Sequence, residues 1–236
     1  LLQSVFGNKA LKIEHVGSTS IPGMKAKPII DVLVVVEKME EFLEQREKML
    51  SLGYEWGENY IAPNTQLFFK MADDGSKTEN IHICESGEPK VRQFLVMRDF
   101  FHTFPEKAKE YSDLKEENQA LHPDDYPAYR EAKAPFLQRM EQEAYEWIGK
   151  KEILETEGFP IVYDWYDEPN TKYEPHKHQG KVSFYVLDGS VTFSGGINQT
   201  VSKGDRIDVP PQVEHSAIVG TNGCHYIVGQ EIEGDA

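Results

Sequence analysis

Cysteine is scarce. Cys84 and Cys224 are the only two in 236 residues. They lie in segments of different character and lack the paired spacing of a disulfide framework or a metal-ligand set, so two reduced thiols in a cytoplasmic protein are expected. Long apolar runs are missing too. The longest, Ile29 to Val36, is interrupted by Asp31 and is far too short to cross a bilayer. No charged-then-apolar leader opens the chain, so neither secretion nor membrane association is expected. The chain starts at Leu1 without Met, and residues upstream of it are expected. Cations are in the minority: 25 Lys and Arg stand against 40 Asp and Glu, for a net charge of -15. A surface of that sign repels a phosphate backbone and gains little from counterion release. No nucleic-acid partner is expected, and only a local basic pocket for one nucleotide fits. The broad effect of the acidity is solubility.

What is present suffices for two domains of ordinary size. Leu1 to Ala10 reads as the end of a helix, and Leu11 to Val16 as a strand stopped by Gly17. A polar loop from Ser18 to Pro28 leads to a β-branched run, Ile29 to Val36, of the kind buried on both faces of a sheet. Met39, Phe42, Leu43, Met49 and Leu50 recur at helical spacing up to Gly53. Thr65 to Ala72 and Asn80 to Glu85 read as strands joined through Asp73-Asp74-Gly75-Ser76. Three helices are predicted next: Val91 to Thr103, Glu106 to Leu121 and Tyr126 to Ile148. Strands followed by a run of helices predict an α+β domain over residues 1–150, a mixed sheet with helices packed on it. Residues 151–160 read as a charged linker. From Ile161 the helical spacing ends. Short β-type runs (Val182 to Leu187, Val191 to Phe193, Arg206 to Val209, Ala217 to Val219, Tyr226 to Val228) alternate with turn signals such as Asp188-Gly189 and Asn222-Gly223. An all-β barrel over 161–236 is predicted.

Two stretches carry chemistry. The first is His15-Val16-Gly17-Ser18-Thr19-Ser20-Ile21-Pro22-Gly23, followed by Ala26-Lys27-Pro28-Ile29-Ile30-Asp31. Gly17 lets backbone approach a ligand closely. The amides and hydroxyls of Ser18, Thr19 and Ser20 suit phosphate oxygens, and Lys25 or Lys27 can offset phosphate charge. A carboxylate inside a buried strand, such as Asp31, is costly unless paired or functional, and it suits Mg²⁺. The plainer readings are that the glycines only make turns, that loop amides satisfy Asp31, that His82 is a core residue and that Arg98-Asp99 is a surface ion pair. The pattern resembles the nucleotidyltransferase superfamily, with its Gly-Ser turn and an acid on the neighbouring strand. More closely it resembles the GrpB family over most of Leu11 to Ile148, with Ile81-His82-Ile83, Arg98-Asp99, Tyr111, Lys115, Tyr129 and Lys133 as further marks. The resemblance implies a nucleotide site with Asp31 on the metal, His15 and His82 beside it as ligands or proton carriers, and Gly17, Ser18, Thr19, Ser20, Lys27 and Arg98 around the phosphates. Two positions depart from the superfamily pattern: Leu33 stands where a second acid is usual, and His82 where a third would come.

The second stretch pairs His176-Lys177-His178 with Gly204-Asp205-Arg206-Ile207-Asp208-Val209-Pro210-Pro211-Gln212-Val213-Glu214-His215. Residues two apart on an extended chain face the same side, and three neutral imidazoles suit Zn, Fe, Mn, Ni or Cu. With Gly189, Gly204 and Pro210 in register, both segments resemble the two motifs of a cupin, a double-stranded β-helix of jelly-roll type. Val182 replaces the motif's usual Glu, and Gln212 a usual Gly. Glu174 and Glu214 are the candidate substitutes for the missing carboxylate, and a metal-free pocket lined by the histidines is the alternative.

The function expected is transfer of a nucleotidyl or phosphoryl group from a Mg-bound nucleotide to a small molecule, with the cupin recognising or processing a sugar or a small organic acid. The alternatives are a non-catalytic binding or sensing protein and a metal-dependent cupin isomerase or oxygenase. A homodimer is expected from the cupin resemblance alone.

Overall fold

The β-branched run around Asp31 forms β2 (Ile30–Val36), flanked on both sides. It pairs antiparallel with β1 (Ala10–Val16) and parallel with β5 (Lys77–Glu85). β4 (Thr65–Met71) and β3 (Glu55–Trp56) follow, both antiparallel, giving a five-stranded mixed sheet in the order β1-β2-β5-β4-β3. The structure, a computed structural model, describes residues 1–39, 43–57 and 64–234, with backbone alone at Leu43 and Glu44. It divides into two units, Leu1–Ala144 and Tyr145–Ala236.

Successive side chains on a strand point to opposite faces, so the sheet carries two cores. On one face Val34, Phe68, Ile81 and Ile83 meet Val5 and Phe6 of α1 (Leu2–Phe6) and Met49 of α2 (Leu43–Ser51). On the other, Val16, Leu33, Val35 and Cys84 meet Val91, Phe94 and Leu95 of α3 (Pro89–Thr103). α4 (Pro105–Leu121) and α5 (Tyr126–Thr156) come next, and the Tyr111 ring stacks against both Phe101 and Phe136, joining the three helices. α3 and α4 each open on a proline, whose missing N–H is no loss in the first turn. The mixed sheet with packed helices matches the sequence pattern. β3 was not expected, and two residues are too few to show a period. Phe42 of the expected second helix lies outside the described residues.

The expected linker is a correction. α5 continues through the charged segment to Thr156 and closes where Gly158, at φ 91°, lets the Phe159 N–H reach Leu154 O and its own reach Glu155 O. The segment shows little apolar period because only part of it is covered. Trp147, Leu154 and Phe159 are buried, and Leu154 and Phe159 rest on Gly229, where a Cβ would meet them at 3.2 and 3.0 Å.

The second unit is all-β beyond that helix end: β6 (Ile161–Asp167), β7 (Lys172–His176), β8 (Val182–Gly195), β9 (Gln199–Ser202), β10 (Arg206–Val209) and β11 (His215–Gln230). β8 and β11 pair antiparallel from Val182↔Gln230 to Gly195↔His215. The first half of β8 takes β10 on its other side and the second half takes β9; β11 likewise takes β7 and then β6. The orders β10-β8-β11-β6 and β9-β8-β11-β7 therefore share two central strands. This corrects the expected pairs of short strands. Asp188-Gly189 and Asn222-Gly223 are bends inside two long strands. Gly189 and Gly223 have φ of 77° and 78°, and a Cβ on Gly189 would stand 2.0 Å from Gly223 O. The register shifts there, between Val219 and Cys224, so both strands bend at one place with their glycines face to face. A turn and a bend need the same glycine chemistry, so composition alone did not separate them.

Candidate functional site

In the first unit the sheet register assembles the site. Val16↔Asp31 are opposite across β1 and β2, and Asp31↔Asn80 and Leu33↔His82 across β2 and β5. Asp31, Asn80 and His82 consequently share the face that carries α3. Asn80 Nδ2 donates to Asp31 Oδ1 at 2.9 Å, and His82 Nε2 donates to the same oxygen at 3.3 Å. The His82 ring is held against Phe94 at 4.7 Å. Asp31 Oδ2 looks at the turn after β1: a Cβ on Gly17 would fall 2.6 Å from it, and Gly17 has φ 71° and ψ -173°. Asn80 Oδ1 is buried and has no hydrogen-bond partner among the described residues.

Helices bring the cations. Lys115 of α4 donates from Nζ to Ser18 Oγ at 3.1 Å and lies over the Tyr111 ring. Burial, with Lys133 nearby, pulls its ammonium down to about 8. Burial likewise lowers Lys133 of α5, which feels the charges of Arg130, Lys27 and Asp31. Lys27 and Lys133 both lie over the Tyr129 ring, at 5.7 and 5.1 Å. Three lysines thus cluster, Lys115 on the Gly17-Ser18 turn, Lys133 near the Asp31 charge and Lys27 beside Lys133, in a chain whose net charge is -15.

The remaining predicted residues are placed differently. His15 opposes Val32, on the other face of the sheet from Asp31, and its exposed ring donates from Nε2 to Thr19 Oγ1 at 3.0 Å. Thr19 Oγ1 donates to Ile29 O, and Ser20 Oγ donates to Gly17 O, so these hydroxyls brace the loop. Arg98 donates to Glu14, Asp99 and His15 O, and its charge is matched within the protein. Lys25 Nζ pairs with Glu116. Asn80 was not singled out from the sequence, although strand alternation from His82 places it on the same face. Lys115 and Lys133 stood out only as family marks.

In the second unit His176, His178 and His215 come together, with ligand atoms all within 4.8 Å of one another. A carbonyl oxygen only accepts, so the bonds from His176 Nδ1 to Glu174 O (2.7 Å) and from His215 Nδ1 to Val213 O (2.9 Å) place those protons on Nδ1. In their neutral form both rings then keep Nε2 as an electron-pair donor, the state a metal requires. Burial, helped by the two neighbouring imidazoles and opposed by the bond to Val213, lowers the His215 pKa and favours its neutral form. Glu174 and Glu214 are exposed and stand outside the cluster, which among the described residues is imidazole only. The histidines open into a cavity of about 220 Å³ lined by Tyr163, Trp165, Tyr173, Phe184, Phe193 and Tyr226. Among the described residues no helix is long and apolar enough to cross a membrane.

Several known proteins resemble this chain, three of them as follows. YqkA of Bacillus subtilis, a UPF0157 protein, is 36% identical over 170 residues, covering 72% of this chain and 48% of YqkA. The chain therefore spans about half the length of that relative. The crystal structure of the conserved protein GrpB from Enterococcus faecalis is 30% identical and superposes with a TM-score of 0.58 over 62% of this chain and 87% of that one. An RmlC-like cupin from Shewanella frigidimarina is 22% identical over 32% of this chain and 68% of its own, with a TM-score of 0.29. Residues 1–143, which hold the sheet, Asp31 and all three converging lysines, match the model of the GrpB protein family, and the chain belongs to that family.

Proposed function

We propose that the first unit binds a nucleoside triphosphate with Mg²⁺ in the cytoplasm and transfers a nucleotidyl or phosphoryl group to a small molecule. The observation that carries this reading is the contact of the Gly17 turn with Asp31, with Lys115 on Ser18 and Lys133 within reach of the Asp31 charge. Backbone amides and hydroxyls next to clustered cations are what a polyphosphate needs, and a carboxylate beside them is what its counter-cation needs. The oxygen donors fit a hard cation. Asp31 Oδ2 faces the turn, and Asn80 Oδ1 is buried and unpartnered among the described residues. Mg²⁺ ordinarily takes one or two carboxylates and completes its shell with phosphate oxygens and water. Bound there, it would offset charge on the transferring phosphate. Asn80 and His82 orient the carboxylate, Ser18 and Lys115 hold phosphate oxygens, and Lys27 and Lys133 neutralise them. The reaction joins an acceptor oxygen to phosphorus and releases pyrophosphate or a nucleoside diphosphate.

For the second unit the proposal is a cupin-type barrel that holds one divalent transition metal on His176, His178 and His215 and recognises a small-molecule ligand. The two Nδ1–carbonyl bonds support it, because they fix the tautomer that leaves Nε2 toward the cluster.

A non-catalytic binding role is the second reading. It is favoured by Leu33, fully buried in the core at the position of a usual second acid. Calorimetric titration with ATP, CTP, GTP and UTP plus Mg²⁺, with Asp31→Ala in parallel, tests both. One nucleotide is expected to bind, at least tenfold more weakly in the variant. Binding without turnover selects the second reading, and no binding to any of the four removes the first.

A further inference from the structure

The cavity beside the three imidazoles has a wall of one kind. Six aromatic side chains and a few aliphatic ones line it, and among the described residues no carboxylate, ammonium, guanidinium, amide or aliphatic hydroxyl joins them. Two of the polar aromatic tips are already used: Tyr173 OH and Trp165 Nε1 both donate to Asp167 Oδ1, at 2.6 and 3.0 Å. Burial raises the Tyr163 phenol and keeps it uncharged near neutrality. The polar atoms left are the phenol hydroxyls of Tyr163 and Tyr226 and the imidazole nitrogens. Size narrows the choice further. A cavity of about 150 Å³ with an apolar wall accommodates benzene, so about 220 Å³ leaves room for one ring and a few further atoms.

We infer that this cavity binds a single-ring aromatic carboxylate or phenolate, with its ring against the aromatic wall and its oxygen toward His176, His178 and His215. The ring claim stands on the cavity alone. The anionic oxygen rests on the metal reading above: three neutral imidazoles leave the charge of a divalent ion uncompensated, so an anionic ligand is favoured in the open position. A sugar is the poorer match, because its ring hydroxyls outnumber the two phenols left to meet them. Each ring hydroxyl needs a partner, and one buried without it weakens binding by about tenfold.

The test is calorimetry on the full chain loaded with Zn²⁺, comparing benzoate with glucuronate. Both carry a six-membered ring and one carboxylate, and they differ in ring hydroxyls. Benzoate is expected to bind at least tenfold more tightly. Ala217→Phe, which fills the cavity, and the milder Ala217→Leu are expected to weaken benzoate without lowering zinc content. Glucuronate binding as tightly as benzoate, or benzoate unaffected by both variants, overturns the inference. Zinc is counted separately. Zinc bound without a benzoate preference overturns the ring pocket and leaves the metal reading standing. Benzoate preferred with no zinc bound does the reverse.

Discussion

A methyl group on Gly17 would stand 2.6 Å from Asp31 Oδ2, so the turn after β1 and the carboxylate at the head of β2 touch directly. That contact makes Gly17→Ala a demanding variant. The residue sits at φ 71° and ψ -173°, a region that side-chain-bearing residues enter at a cost of about 1–3 kcal/mol. Urea unfolding is expected to show a loss of that order. Calorimetry is expected to show nucleotide binding weakened at least tenfold, because the new methyl displaces Asp31. Normal binding by a stable variant would mean that the turn does not seat the ligand.

Lys115 gives the site a pH signature. Its ordinary value of 10.5 falls to about 8 in the folded protein. The unfolded chain therefore holds more protons between those two values, and stability rises with pH across that window. The penalty on the charged form is fully present below about pH 8. A bound triphosphate reverses the preference and draws a proton onto Nζ. Affinity is predicted to fall as pH rises from about 8 toward 9, with proton uptake visible in buffers of different ionisation enthalpy, and Lys115→Met is predicted to flatten the profile. A wild-type affinity flat across that range would falsify the role assigned to Lys115.

Much of the first site was legible because a strand's period of two is a geometric rule. Asp31 and His82 lie on neighbouring strands, and parallel pairing sets Asp31 opposite Asn80, two residues before His82. The same rule separates His15 from Asp31. His15 opposes Val32, one residue off the carboxylate's register, which is enough to reverse the face. The lysines were harder to read, since Lys115 reaches the turn from α4 and Lys133 comes near Asp31 from α5, and no local pattern relates a helix residue to a loop or strand a hundred positions away. In the second unit the histidine spacing carried the cluster. The long β8 and β11 were hidden because Gly189 and Gly223 look like chain reversals until they are seen facing each other.

The imidazole cluster is predicted to retain about one transition-metal ion per purified chain, lost on His176→Ala and measurable by elemental analysis. Protons compete for the same nitrogens, so metal affinity is expected to fall as the solution is acidified. Burial lowers the His215 pKa, which favours the neutral imidazole that a metal needs. Metal content unchanged in His176→Ala would contradict a shared three-imidazole site.

Leu154 tests whether the end of α5 belongs to the second unit's core. It is fully buried and rests at Gly229 of β11. Leu154→Ala is expected to cost about 2–5 kcal/mol, read as a lower denaturation midpoint with the slope unchanged. A midpoint equal to wild type would restore a linker to this segment.

The most direct test of the nucleotide reading is a crystal of this chain soaked with the triphosphate that binds best and with Mg²⁺. The predicted map has phosphate density between the Gly17-Ser18 turn and the lysines at 27, 115 and 133, with the cation on Asp31. Nucleotide density elsewhere, or a turn and carboxylate left bare at saturating ligand, would contradict it.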